Sequence, residues 1–158
     1  MNEKRQVAVT GMGVICSIGF STKELWDNII SGKCGIRKIQ SIDTSGCKTS
    51  CGAEVDNDRL QEELKSHSIQ TWDRTTDMAI LASAQALEQA NLISFIKENS
   101  SANCSVIFGT GVGSAHSLYT AYTALVEKGI RGLRPTTVPR CMANAVSSMI
   151  SMQYKLRG

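Results

Sequence analysis

The chain has 158 residues, 42% of them hydrophobic and 20% charged, with a formal net charge of +3. That length predicts one domain, residues 1–158, with a core of ordinary size. The mild charge forms no dense basic block, which leaves nucleic-acid binding without support, and no apolar run approaches a membrane span. The start, Met-Asn-Glu-Lys-Arg-Gln, has no apolar h-region, so no signal peptide is expected. Cysteines stand at Cys16, Cys34, Cys47, Cys51, Cys104 and Cys141, with no CxxC pair, and the histidines are His67 and His116. That set supports no closed zinc site and calls for no cofactor. The cysteines read as small hydrophobes in a reduced, cytoplasmic protein.

In chain order, residues 6–10 (QVAVT) predict a short strand buried on both faces, as in a parallel sheet. It delivers the turn Gly11-Met12-Gly13-Val14-Ile15-Cys16, a setting in which a dinucleotide fingerprint must be weighed. Cys16 replaces the third glycine of GxGxxG, and the helix begins only at Ser21, so nucleotide binding is the minor reading. Ser21-Thr22-Lys23-Glu24 is a capping box, opening a helix with Leu25, Trp26, Ile29 and Ile30 that ends at Gly32. Residues 33–52 read as irregular, with Ile36, Ile39 and Ile42 as anchors and Asp43-Thr44-Ser45-Gly46 as turn chemistry.

Residues 58–65 predict a short surface helix, and residues 73–90 a clearer one. Ala79, Ala82, Ala86 and Ala90 give the latter a small face that another element can approach closely, as in a helix between layers. Asn91 is its C-terminal cap. Residues 104–108 (CSVIF) predict a second buried strand, opening into Gly109-Thr110-Gly111-Val112-Gly113, where ligands of open α/β sheets sit. Leu118, Ala121, Tyr122 and Leu125 mark a helix that Gly129 ends. Lys128, Arg131, Arg134 and Arg140 follow, as either a solvated rim or a surface for an acidic partner. The last stretch, residues 133–158, begins as an extended run punctuated by Pro135 and Pro139. It continues as an interior helix over 139–154, with Met142, Val146, Met149 and Ile150 at helical spacing.

Four segments in one order carry a family resemblance. They are Val7-Ala8-Val9-Thr10-Gly11-Met12-Gly13, Asp73-Arg74 leading MAILASAQAL, the loop at 109–113, and Val138-Pro139 through Met142-Ala143-Asn144 to Leu156-Arg157-Gly158. Together they resemble the N-terminal part of β-ketoacyl-acyl-carrier-protein synthases of the type II elongating class. The resemblance implies an α/β fold of the thiolase-like layered αβαβα type, of which the chain covers the first part of the N-terminal half. It also implies a homodimer, an acyl carrier protein and an acyl thioester as partners, and a decarboxylating Claisen condensation with malonyl carrier protein in fatty acid or polyketide synthesis.

The condensation needs a thiolate to hold the acyl group and imidazoles to polarise the malonyl thioester carbonyl. None of the six cysteines stands in the family's nucleophile motif, and neither histidine matches a catalytic one. No residue here is therefore assigned to catalysis, and the chain alone is expected to be inactive. The resemblance places Val112 at the acyl-pocket position of the glycine loop, and Thr137 and Val138 in the segment that reaches the pocket and dimer interface. Many relatives hold a bulkier aromatic in place of Thr137. The resemblance places Arg131 at a basic position near the carrier-protein approach, and Lys128, Arg131 and Arg134 are the expected docking residues, although the basic run that often precedes Asp73 is replaced by residues 66–72. The alternatives are a non-catalytic partner of the chain-length-factor kind and, further off, a nucleotide-binding α/β domain.

Overall fold

The computed structural model describes residues 6–70, 72–98 and 103–158, with only the backbone of Lys97. The start without an h-region (residues 1–5) and Thr71 of the 66–72 run lie outside the described residues. The elements are α1 (Thr22–Ile30), β1 (Arg37–Lys38), β2 (Cys51–Gly52), α2 (Asn57–Ser66), α3 (Arg74–Gln89), α4 (Leu92–Glu98), α5 (Ala115–Lys128), a 3-10 turn (Gly129–Gly132), α6 (Thr137–Cys141) and α7 (Ala145–Tyr154).

α3 is the axis. Asp73 caps it by accepting from the Thr75 backbone N–H at 3.0 Å, and Asn91 closes it in the left-handed conformation at φ 54°. Its Ile80, Leu81 and Ala84 are buried, and α7 packs against it with Val146 and Ile150. Phe20, Leu60, Leu64 and Ile69 complete one apolar cluster. The alanine face does what small residues permit. A Cβ on Gly11 would lie 2.0 Å from the Ala86 carbonyl oxygen, and one on Gly13 would lie 1.9 Å from that of Ala82. Only glycine lets residues 11–14 sit this close to the helix. The Met12 and Val14 amides there donate to Gln89 Oε1 at 2.6 Å and Gln85 Oε1 at 3.0 Å.

Five expectations are corrected. Residues 6–10 and 104–108 form no strand; Val7 is 93% and Ile107 97% exposed, and the β1–β2 ribbon is the only sheet among the described residues. Apolar alternation supplies a strand's side chains, but the strand exists only where a neighbour accepts its backbone bonds. Residues 33–52 are not wholly irregular, because Arg37 pairs with Gly52 and Lys38 with Cys51 in antiparallel register. Ile36 and Ile42 are exposed, so of the three isoleucine anchors only Ile39 is covered, against Gly52. The helix at 57–66 is no surface element, since Leu60 and Leu64 are among the most buried side chains. The helix expected over 139–154 is two. Pro139 is tolerated in the first turn of α6, where its missing donor breaks no helical bond, and Met142 then turns extended (ψ 140°) before α7 begins.

α1 has one arm of the predicted capping box, Ser21 Oγ accepting from the Glu24 amide at 3.1 Å, while Glu24 Oε2 accepts from the Phe20 amide at 3.0 Å, one residue before the cap. Arg59 of α2 grips the same carboxylate with two bonds of 2.7 Å while lying 4.4 Å above the Phe20 ring. Arg59 first, then the Phe20 amide, hold the Glu24 carboxyl down to about 2 from an ordinary 4.5. The folded value lies below the unfolded one, so this stabilisation is present above pH 4.5 and is lost as pH falls toward 2. Both groups keep solvent contact, which trims the effect to about 1 kcal/mol. Glu24→Gln should lower the urea midpoint accordingly at pH 7 and leave it nearly unchanged near the bottom of that window. An equal loss at both pH values would exclude the ion pair as its source.

Candidate functional site

Two concavities meet along the α5–α6 wall and share Ala121, Leu133 and Thr137. The first is an apolar groove of about 330 Å³, with Leu118, Tyr122 and Leu125 of α5 facing Val138 and Cys141 of α6 and Met142 beyond it. α5 presents these residues because 118, 121, 122 and 125 share one helical face. Thr137 is fixed by a bond from the Arg134 amide to its Oγ1 at 3.0 Å.

The second is a polar cleft of about 920 Å³ between the ribbon, α2, the start of α3, and α5. Its floor holds two carboxylates one helical turn apart, both buried. Asp73 Oδ2 accepts from Ser117 Oγ of α5 at 2.6 Å, and Asp77 Oδ1 accepts from the Trp72 amide at 2.8 Å. Burial pushes the Asp77 carboxyl above the usual carboxylate range, against the pull of that amide. Arg74 donates to Asn57 Oδ1 at 2.5 Å and to the Val55 carbonyl at 2.7 Å, tying α3 to the start of α2.

Of the residues singled out from sequence, Thr137 and Val138 come together in the groove. Val112 does not join them; it is exposed on the 109–113 loop, whose Gly113 amide donates to Thr110 Oγ1 at 3.0 Å. Lys128 and Arg134 line the polar cleft and are exposed, while Arg131 is exposed outside it. Arg140 lines the same cleft and lies 4.5 Å above the Trp72 ring. His116 lines the cleft, and His67 is exposed with Nδ1 2.9 Å from the Glu63 carbonyl oxygen. Among the described residues, no three His, Cys, Asp or Glu side chains gather as a metal would require. The Gly11–Gly13 turn is occupied by packing on α3, and its Met12 amide is already bonded to Gln89.

Sequence reasoning missed Asp77, Trp72 and Ser117. A buried acid on an otherwise apolar helix face was the available signal for Asp77; for the others there was none.

A family model for the β-ketoacyl synthase N-terminal domain matches residues 4–158, and the chain belongs to that family, with its thiolase-like fold. It is 30% identical over 158 residues to 3-oxoacyl-[acyl-carrier-protein] synthase 2 of Staphylococcus aureus (strain COL), covering 100% of this chain and 38% of that protein. The ishigamide ketosynthase/chain length factor has the same fold at a TM-score of 0.70 and 21% identity, over 94% of this chain and 36% of that one. A type II polyketide acyl carrier protein in complex with its ketosynthase, AntDE:AntF, matches at a TM-score of 0.65 and 19% identity, over 94% of this chain and 38% of that one. No helix among the described residues is long and apolar enough to cross a membrane.

Proposed function

We propose that this chain is the N-terminal region of a 3-oxoacyl-acyl-carrier-protein synthase and that the groove between α5 and α6 receives the acyl chain of its thioester substrate. The observation that carries the reading is the apolar groove itself, walled by the Thr137 and Val138 that the family resemblance assigns to the pocket. Such a groove removes methylenes from water at about 0.8 kcal/mol each, so affinity should climb with chain length until the groove is full. Titration of acyl thioesters of increasing length, read by displacement of an environment-sensitive fatty-acyl dye, tests this. Thr137→Trp should fill the groove and weaken binding about tenfold or more. Unchanged affinity would remove the groove from the acyl site.

The partner in this reading is an acidic acyl carrier protein steered by Lys128 at the end of α5 and by Arg131 and Arg134 beyond it, all three exposed. Their charge reversal should slow association most at low salt, where screening is weak. An affinity that ignores both salt and charge reversal would leave them a solvated rim. The complete protein is proposed to act as a homodimer.

A non-catalytic partner of the chain-length-factor kind has the same fold, as the ishigamide pair illustrates. Incubating the complete protein with an acyl thioester separates the two. A covalent acyl adduct found by mass spectrometry supports the synthase, and its absence supports the partner.

A further inference from the structure

α6 has only five residues, no side-chain cap and no buried residue. A helix this short has no stability of its own, yet one side of it forms the groove wall with Thr137, Val138 and Cys141. Its other side carries Arg140, whose guanidinium lies 4.5 Å over the Trp72 ring while Nε donates to Thr136 Oγ1 at 3.4 Å. The Trp72 backbone amide is in turn held by Asp77, which is 1% exposed. Asp73 is already committed to its cap and to Ser117, and Asp77, whose Oδ1 takes the Trp72 amide, is the carboxylate tied to the residue that Arg140 covers.

We propose that Asp77 is a positioning residue whose buried charge, acting through Trp72 and Arg140, holds α6 against the start of α3 and so sets the width of the apolar groove. Losing that charge lets α6 move and the groove open. The other titratable and charged groups lining the cleft are Asp73 and Arg74 at the start of α3, Arg37 and Glu54 from the ribbon side, His116 and Lys128 of α5, and Arg134. Arg74 and Arg37 are engaged elsewhere, on Asn57 and Val55 and on the Glu54 carbonyl. Burial raises the Asp77 carboxyl above its ordinary value, so protonation removes the charge as pH falls. The device does not depend on what occupies the groove, because Cys141 and Trp72 report on it directly.

The experiment uses the full chain with Trp26→Phe, leaving Trp72 as the one indole, and peptide-level thiol labelling. Exposed Cys34 is the internal reference, and half-buried Cys16 and Cys104 report general unfolding. Asp77→Asn keeps an acceptor for the Trp72 amide but removes the charge, and Arg140→Met keeps the stem but removes the cation. Each should speed Cys141 labelling about fivefold relative to Cys34, the factor expected for one lost cation–π contact, with Cys16 and Cys104 unchanged. Arg140→Lys should restore part of the protection. Trp72 emission should shift as pH falls in the parent and in His116→Gln, but not in Asp77→Asn. Unchanged Cys141 labelling in Asp77→Asn overturns the proposal. So does a rise shared with Cys16 and Cys104, or an acid shift that persists in Asp77→Asn.

Discussion

Gly13→Ala is expected to detach residues 11–14 from α3 and to lower stability by about 3 kcal/mol. The added methyl would lie 1.9 Å from the Ala82 carbonyl oxygen. That oxygen belongs to a helix backbone and cannot turn aside without losing its own bond, so the segment must retreat by about 1.5 Å to regain ordinary contact. Retreat breaks the Val14 bond to Gln85 and the Met12 bond to Gln89. Gln85 also donates to the Phe20 carbonyl at 2.6 Å, so the approach to α1 loosens with it. Overpacking accounts for ~1–3 kcal/mol and each lost bond for about 1. Gly11→Ala should behave alike, with a contact of 2.0 Å to the Ala86 oxygen. Gly46, with nothing near its Cβ position, is the control, and Gly46→Ala should stay within about 0.5 kcal/mol. Urea unfolding of the three variants gives the comparison. A Gly13→Ala midpoint equal to that of Gly46→Ala would mean that the segment does not rest on the helix.

The same contact explains what the sequence could and could not show. A glycine pair after an apolar run suggests phosphate, and an alanine face suggests close packing; only the structure shows that each is the other's partner, about 70 residues away. α1 and α3 were legible because their signals are local, in the Ser21–Glu24 pair, the alanine spacing and Asn91. α2 misled because its polar residues outnumber Leu60 and Leu64, while those two at four-residue spacing decide which face is buried. The strands expected at 6–10 and 104–108 illustrate the reverse case. Their side chains fit a sheet interior, but pairing is a property of two segments, and periodicity within one cannot supply it. The groove was half legible, since Thr137 and Val138 entered through a family resemblance, whereas α5 contributed its face through ordinary helical spacing. Of the Asp77–Trp72–Arg140 group only Asp77 left a local sign, an acid on an otherwise apolar helix face; Trp72 and Arg140 left none. Its members join α3 to α6 across more than 60 residues, and each read alone was an ordinary helix, core or rim residue.

Leu64→Ala tests whether α2 is the core element that the structure makes it. Leu64 is 1% exposed and packs in one cluster with Ile80, Leu81, Val146 and Ile150. Its truncation removes buried methyl groups and leaves a cavity, for a loss of about 3 kcal/mol, which is roughly 10 °C in melting temperature for a chain of this size. Glu62, exposed on the opposite face, should tolerate Glu62→Ala within about 0.5 kcal/mol. The effect should also reach the cleft, because α2 supplies Asn57 to Arg74 and Arg59 to Glu24. If Leu64 holds α2 in place for both, then Leu64→Ala combined with Glu24→Gln should lose less than the sum of the single changes, since the ion pair is already weakened when its helix is loose. Full additivity would instead make the Arg59–Glu24 pair independent of how α2 sits on α3, and the Asn57–Arg74 contact would then need a different support.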